Sequence, residues 1–566
     1  MNHSASIFRQ LLADEWEIRM QEDPLFATNT GDHRFNDRLP QVGEADFERR
    51  IQQMRGFQQR LAGIDRAALS PAEQLDCDIF GRLLANDLRA LELRTYRLPL
   101  SKAGSFHMHF PELHLEVPLE TVRDYENYIA RLRAFKKYVD DHIEVMRAGL
   151  RDGQIPARVT LEGLQDTIRP HIVEDATQSL LYAPFEQFCV AIPESERSAL
   201  TQAGQAAIRE SIVPGYAVLL RFLEDEYLPA ARESISASEL PDGRAYYQHC
   251  IRYFTSLDLP PEVIHQTGLV EVRRIKAEMG EIIRQVGFGH GTQENFHGFV
   301  ELLRTDPRFY VTEPEMLLAK TALILKRMDG ELPRLFKTLP RLPYGIRPIP
   351  DYAAPGNTTA YYQPGTGDGT RAGYYYVNTY DLKSRPLYEQ EALSLHEAVP
   401  GHHLQIALQQ ELDLPNFRRF GGFTSFVEGW ALYAERLGLE TGFYQDPYSN
   451  FGRLSYEMWR ACRLVVDTGM HALGWSRQQA IDFMVENTAL TLLNITNEVD
   501  RYIAWPGQAL AYKLGEIKIR ELRARAEQAL GSRFNLREFH DVLLTSGAVP
   551  LDVLEYMVEG WIARAP

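Results

Sequence analysis

Apolar residues recur every three or four positions along most of this chain. Residues 119–150 place Val122, Tyr125, Tyr128, Ile129, Leu132 and Phe135 at that spacing, with charged residues between them. This is the period of a helix with one buried face. The same pattern fills 44–95, 195–235, 262–287, 313–335, 451–475 and 508–530. Ser70-Pro71-Ala72-Glu73 carries a start signal, with Ser as N-cap, Pro at the first helical position and Glu at the third. The stretch SISASELPDG at 234–243 breaks the pattern and predicts a division between an N-terminal helical region, 1–240, and a C-terminal region, 241–566. The two are expected to pack as one unit around a cleft.

Residues 340–381 depart from the helical period. They are rich in Pro, Gly, Tyr and Thr and end in an aromatic run from Tyr374 to Tyr380, which predicts a small β-sheet or hairpin. The GTGDGTRAG portion lacks the Gly-Lys-Ser/Thr ending of a phosphate loop and opens no helix. The expected fold class is mainly α-helical with this small sheet near the candidate site.

Composition narrows the function. The chain has 566 residues, 61 Lys and Arg against 77 Asp and Glu, and a net charge of −16. Phosphate neutralisation needs concentrated basic residues, so nucleic acid is not the expected partner. No apolar run has the length of a membrane span, and the N-terminal segment MNHSASIFRQLLADEWEIRMQED has no apolar core of a signal peptide. Cys77, Cys189, Cys250 and Cys462 are far apart with no CxxC spacing, as expected of reduced thiols in a cytoplasmic protein. No membrane partner is expected, and the sequence sets no oligomeric state.

The candidate chemistry lies in SLHEAVPGHHLQIA, residues 394–407. Zinc-hydrolase helices place two histidines at i and i+4, one turn apart on one face. From His396, His402 is six residues on, roughly 240° around and about 9 Å along a regular helix. His403 is seven on, back on the right face but roughly 10.5 Å away. A regular helix would therefore fail to join them. It cannot be regular, because Pro400 has no N–H for the carbonyl of His396 and Gly401 frees the backbone. Looping out Pro400-Gly401 restores His-Glu-Ala-Val-His and makes His402 the second ligand. A helix that stops at Val399 and restarts would present His403 instead.

A catalytic zinc site takes three protein ligands and keeps a fourth position open. Residues 423–440, FTSFVEGWALYAERLGLE, are apolar nearly all round, with Thr424 or Ser425 as N-cap candidates. Glu428 and Glu435 lie seven residues apart on one face of this buried helix, where a carboxylate is costly unless paired or bound to metal. Glu428 is the candidate third ligand and Glu435 its support or an ion-pair partner. Glu397, beside the first ligand, is the candidate general base.

These residues carry a resemblance to DUF885, a bacterial family of unknown function grouped with zincin-like, gluzincin-type metallopeptidases. The motifs are HEAVPGHHLQ (396–405), EGWALYAE (428–435), RLVVDTGMHALGWS (463–476), RYIAWPGQALAYKLGE (501–516) and DGTRAGYYYVNT (368–379). In that family the histidine directly after Pro-Gly is constant and the next can be tyrosine, so the resemblance favours His402. It implies a mostly helical zincin-like fold and a zinc peptidase-like site, without a substrate.

Other residues fill out that expectation. Tyr512, Tyr502, His403 and His471 are candidate donors to a tetrahedral oxyanion, although Asp467 and His471, four apart, can equally form a supporting pair. Arg501 and Lys513 are candidates to hold a substrate carboxylate, the arginine being the better bidentate donor. Tyr376 and Asn378 lie on the aromatic strand, along which an extended substrate can pair; the strand can equally just cap the helical core. The expected activity is a zinc-dependent (Zn²⁺) peptidase acting on short peptides or other amides. The alternatives are an amidase or esterase on a non-peptide substrate, and a non-catalytic helical binding protein. The acid beside His396 and the absence of a four-ligand Cys/His set count against a structural zinc.

Overall fold

The helical period is realised over most of the chain in a computed structural model, which describes residues 3–288, 293–351, 354, 358–366, 369 and 371–565. Gly367, Asp368 and Thr370 of the glycine-rich stretch lie outside the described residues. The architecture is mainly helical with one three-stranded sheet. The chain divides into one unit of residues 1–249 with 503–505, and a second of 250–502 with 506–566.

The first unit contains α1 (His3–Glu22), α2 (Glu44–Ala62), α3 (Pro71–Glu92), α4 (Val122–Arg151) and a continuous helical run α5 over residues 194–230. The pattern at 44–95 is split in two by the Ser70 cap: Ser70 N–H donates to the Glu73 carboxylate at 3.1 Å, and Glu73 N–H to the Ser70 hydroxyl at 3.3 Å. Thr121 and Asp124 start α4 in the same reciprocal way. The face read from the spacing, Tyr125, Tyr128, Ile129, Leu132 and Phe135, is buried in this unit's core together with Ile208, Ile212, Tyr216 and Leu219 of α5. Gly215 of α5 lies against the Phe135 ring, where a Cβ would come within 2.9 Å.

The second unit is built on α6 (Pro261–Gln285), α7 (Pro314–Leu335), strands β1 (Tyr344–Pro348), β2 (Ala360–Gln363) and β3 (Gly373–Val377), α8 (Gln390–Glu397), α9 (His402–Glu411), α10 (Thr424–Leu437), α11 (Pro447–Ala472), α12 (Leu492–Ala504), α13 (Ala511–Leu530), α14 (Leu536–Leu544) and α15 (Leu551–Arg564). α6 and α11 pack closely through Gly268, whose missing side chain leaves room for Leu464 and Val465. The N-cap of α10 is Phe423, not Thr424 or Ser425, and no side chain caps that end.

The sheet order is β1-β3-β2. β1 runs parallel to β3, pairing Tyr344 with Gly373, and β2 runs antiparallel to it, pairing Ala360 with Val377. The aromatic strand is therefore the middle strand, with its backbone groups used on both sides, and it offers no edge to an extended substrate. Any strand addition would have to use β1 or β2.

Helix α8 stops at Glu397 and α9 starts at His402, so the break is a four-residue connection between two helices and not a two-residue bulge within one. The Val399–Pro400 peptide is cis. Ala398 accepts the N–H of His403 at 3.0 Å, and the carbonyl of Pro400 accepts from Trp430 Nε1 at 2.9 Å. Only glycine fits at position 401: a Cβ there would meet the His396 carbonyl oxygen at 1.9 Å. Among the described residues no helix is long and apolar enough to cross a membrane, and no disulfide joins the cysteines.

Candidate metal centre

The connection between α8 and α9 turns the chain so that the imidazoles of His396 and His402 meet nearly at right angles, with ring centroids 4.8 Å apart and an interplanar angle of 85°. Glu428, on α10, comes up beside both. Its Oε2 is 3.5 Å from Nε2 of His396 and 3.5 Å from Nε2 of His402. One donor atom from each of the three residues lies within 4.8 Å of the others. The separation of 3.5 Å is too long for a hydrogen bond, and Glu428 Oε2 is a buried oxygen with no hydrogen-bond partner. Donors about 2.0–2.2 Å from one tetrahedral zinc stand roughly 3.3–3.6 Å apart. The three side chains therefore fit a common cation better than they fit each other.

The remaining ring nitrogens differ. His396 Nδ1 lies 2.8 Å from Glu435 Oε1. A carboxylate only accepts, so Nδ1 carries the hydrogen and Nε2 is the nitrogen turned toward His402 and Glu428, where a bound cation would take the place of its proton. His402 Nδ1 is buried with no hydrogen-bond partner among the described residues. Burial opposes a charge on His396, yet Glu428 and Glu435 hold its pKa up to about 9. Burial likewise opposes the charge of Glu428, but His402 and His396 hold its carboxyl well below the usual carboxylate range. This is the electrostatic signature of a site arranged for positive charge.

Glu397 closes α8 directly after His396 and is part-exposed. Behind it, the fully buried Tyr375 of β3 lies beside Ser394 and within electrostatic reach of Glu397. The central strand thus backs the acid.

Tyr512 reaches the cluster through a feature that period counting does not show. Helices α10 and α13 touch backbone to backbone: a Cβ on Gly429 would lie 2.5 Å from Gly515 Cα, and one on Gly515 would lie 1.9 Å from the Ser425 carbonyl. Tyr512, one turn before Gly515, is part-exposed, and its hydroxyl is within electrostatic reach of Glu428.

The other candidates are placed elsewhere. His403 points to the sheet, sharing a hydrogen bond with the Tyr362 hydroxyl at 2.9 Å and packing on Tyr344, and burial lowers its pKa to about 4. Tyr502 is buried and its hydroxyl is occupied: it donates to Glu498 at 2.7 Å and accepts from Arg463 and Trp459. His471 is buried on α11 and bonds the Tyr502 carbonyl through Nε2, while Asp467 accepts the N–H of Gly507. Lys513 is fully buried among Glu457, Glu516 and Glu271 at 2.8–3.0 Å, which leaves no donor for a substrate. Asn378 is fully buried and ties the Ala354 and Thr358 carbonyls to the Tyr380 N–H. Tyr376 is half-buried and stacks on Tyr361. Arg501 is part-exposed and bidentate on Glu498. None of these seven is placed by the described contacts at the His396–His402–Glu428 cluster.

The family described as "Bacterial protein of unknown function (DUF885)" matches residues 24–558. A crystal structure described as that of a "putative lipoprotein" from Colwellia psychrerythraea is similar over 99% of both chains, at 29% identity and a TM-score of 0.92. A structure from Shewanella oneidensis, carrying the same lipoprotein description and "unknown function", covers 98% of this chain and 99% of its own at 18% identity and a TM-score of 0.70, and shows the likeness of fold. Comparison with curated proteins returns no match.

Proposed function

We propose that this protein, which belongs to the bacterial DUF885 family, is a zinc-dependent hydrolase that cleaves short peptides. The observation that carries the reading is the position of Glu428 Oε2, 3.5 Å from both Nε2 atoms and without a hydrogen bond. His396, His402 and Glu428 would hold the ion, and α8 to α10 with the sheet would form a zincin-like catalytic frame. Zinc with two neutral imidazoles and one carboxylate keeps a positive charge and lowers the pKa of a water to about 7. Glu397 takes the proton from the attacking water and returns it to the leaving nitrogen. Glu435 fixes the His396 ring, and Tyr512 donates to the oxygen on which charge develops.

The location that goes with this reading is cytoplasmic. A lipoprotein address, taken from the description of the two relatives, would place the chain in the membrane fraction instead, and fractionation of cells separates the two. The activity is tested by elemental analysis of the purified protein together with a peptide-library digest read by mass spectrometry. Glu397→Gln should keep its zinc and lose turnover by roughly 10²-fold or more. A variant with full turnover would remove the general base, and a protein without stoichiometric metal would remove the reading altogether.

A further inference from the structure

Beside Tyr512 lies a cationic group that the proposed chemistry leaves unused. Arg463 of α11 is buried, with its guanidinium carbon 4.5 Å from the centre of the Tyr512 ring and 4.3 Å from that of Trp459. Its Nε donates to Tyr502 at 2.9 Å, and its Nη2 lies 3.3 Å from Glu498. Its Nη1 is a buried nitrogen with no hydrogen-bond partner. The same Glu498 also carries Arg501, at 2.8 Å and 3.1 Å. Two guanidiniums, one buried and one part-exposed, therefore share one carboxylate, which leaves a surplus positive charge.

A buried cation that only shares a carboxylate is costly, and it persists where a ligand or another constraint supplies further anion. The surplus adjoins Tyr512. Arg501 Nη1 donates to Gln508 Oε1 at 3.1 Å, and Gln508 Nε2 in turn lies 3.4 Å from the Tyr512 hydroxyl. Arg501, Trp459 and Tyr512 are each part-exposed, and Tyr512, at the end of this chain of donors, is the member within electrostatic reach of Glu428. Arg460, one turn before Arg463 on α11, reaches Glu435 at 3.7 Å, which ties the same helix face to the His396 support.

We propose that Arg463 and Arg501, lined by Trp459, Gln508 and Tyr512, bind a carboxylate of the substrate next to the scissile bond. The substrate class is then a short peptide or acyl amino acid with a free carboxylate there, either its C-terminus or an acidic side chain. This rests on the zinc-hydrolase reading for the word substrate; the carboxylate site itself does not. Planar guanidiniums suit a carboxylate because they can grip both oxygens at once.

The test uses the full-length protein after its metal content is measured. Three probes are titrated calorimetrically: N-acetyl-Ala-Ala as the free acid, the same dipeptide as the amide, and N-acetyl-Ala-Asp-amide. A free acid or aspartyl probe binding roughly tenfold or more tighter than the neutral amide is expected, and whichever carboxylate is preferred identifies its source. Arg463→Met should abolish that preference without loss of zinc, and it leaves a balanced Glu498–Arg501 pair, so the fold should hold. Arg501→Gln is the second variant and should weaken the preference as well. Equal binding of all three probes, or a preference that survives in Arg463→Met, overturns the proposal even if peptides are hydrolysed. A preference that persists in protein without zinc or turnover keeps the carboxylate site and removes the hydrolase reading.

Discussion

His396 gives its Nδ1 hydrogen to Glu435 at 2.8 Å, and so turns its other nitrogen toward His402 and Glu428. Glu435 is itself almost fully buried and has a second oxygen without a partner. Replacing Glu435 by Gln leaves an acceptor oxygen but removes the charge that makes the imidazole more basic and so a stronger ligand. Zinc affinity should fall roughly 10–100-fold, with far-ultraviolet circular dichroism unchanged. Competition with a calibrated chelator measures it, and an unaltered affinity would mean that Glu435 only fills space.

The two histidines after Pro-Gly should separate cleanly. His402→Ala removes one of the three converging atoms and should lose stoichiometric zinc. His403→Ala removes the bond to Tyr362, the packing on Tyr344 and a bond to the Leu342 backbone, so metal content should stay at the wild-type level while the melting temperature drops. The reverse pattern of metal contents would exchange their roles.

Contact between α10 and α13 depends on two missing side chains. Gly515→Ala would put a Cβ 1.9 Å from the Ser425 carbonyl, a clash that only separation of the helices relieves. The expected cost exceeds the ~1–3 kcal/mol of ordinary overpacking, and zinc affinity should fall with it because Glu428 rides on α10. Gly330→Ala on α7, where a Cβ meets nothing within 4 Å, should instead gain up to about 1 kcal/mol from helix propensity. Thermal unfolding of the two variants side by side checks both signs.

Stability should fall as pH rises toward 7 because of one acid. Burial raises the carboxyl of Glu389 to about 7, although Arg385, Arg460 and Arg304 pull the other way. The folded-state value lies above the unfolded one, so the unfolded chain ionises first. The contribution is therefore complete below about pH 4.5 and is lost as pH rises through 7. Glu389→Gln should be more stabilising at pH 8 than at pH 4.5, by about 3 kcal/mol at most. A difference that does not change between the two pH values would show that the carboxyl is charged throughout.

Residue spacing carries much of this site, for an identifiable reason. His396, Glu397, Glu428 and Glu435 sit on helices whose period is visible, and the cost of burying an acid singles out the last two. The position of His402 followed from what Pro400 and Gly401 forbid, although the real break spans four residues. Other features depend on which element packs against which. β1, which pairs along one side of β3, comes from a proline-rich segment with no strand alternation, so the strand order was not legible. Lys513 and Arg463 are both basic residues on helices, and nothing local distinguishes the one surrounded by three carboxylates from the one sharing half of one. The glycines of EGWALYAE and AYKLGE were in plain view, but only the close approach of α10 and α13 gives them a role.

The indole of Trp430 holding the Pro400 carbonyl has a mechanical meaning. Trp430 stands two residues after Glu428, and Pro400 two residues before His402. That single strut couples the turn bearing one imidazole to the helix bearing the acid, so neither can drift while the other stays. A cradle tied together by folding in this way would ask for no rebuilding of the chain around it when the proposed ion binds or leaves.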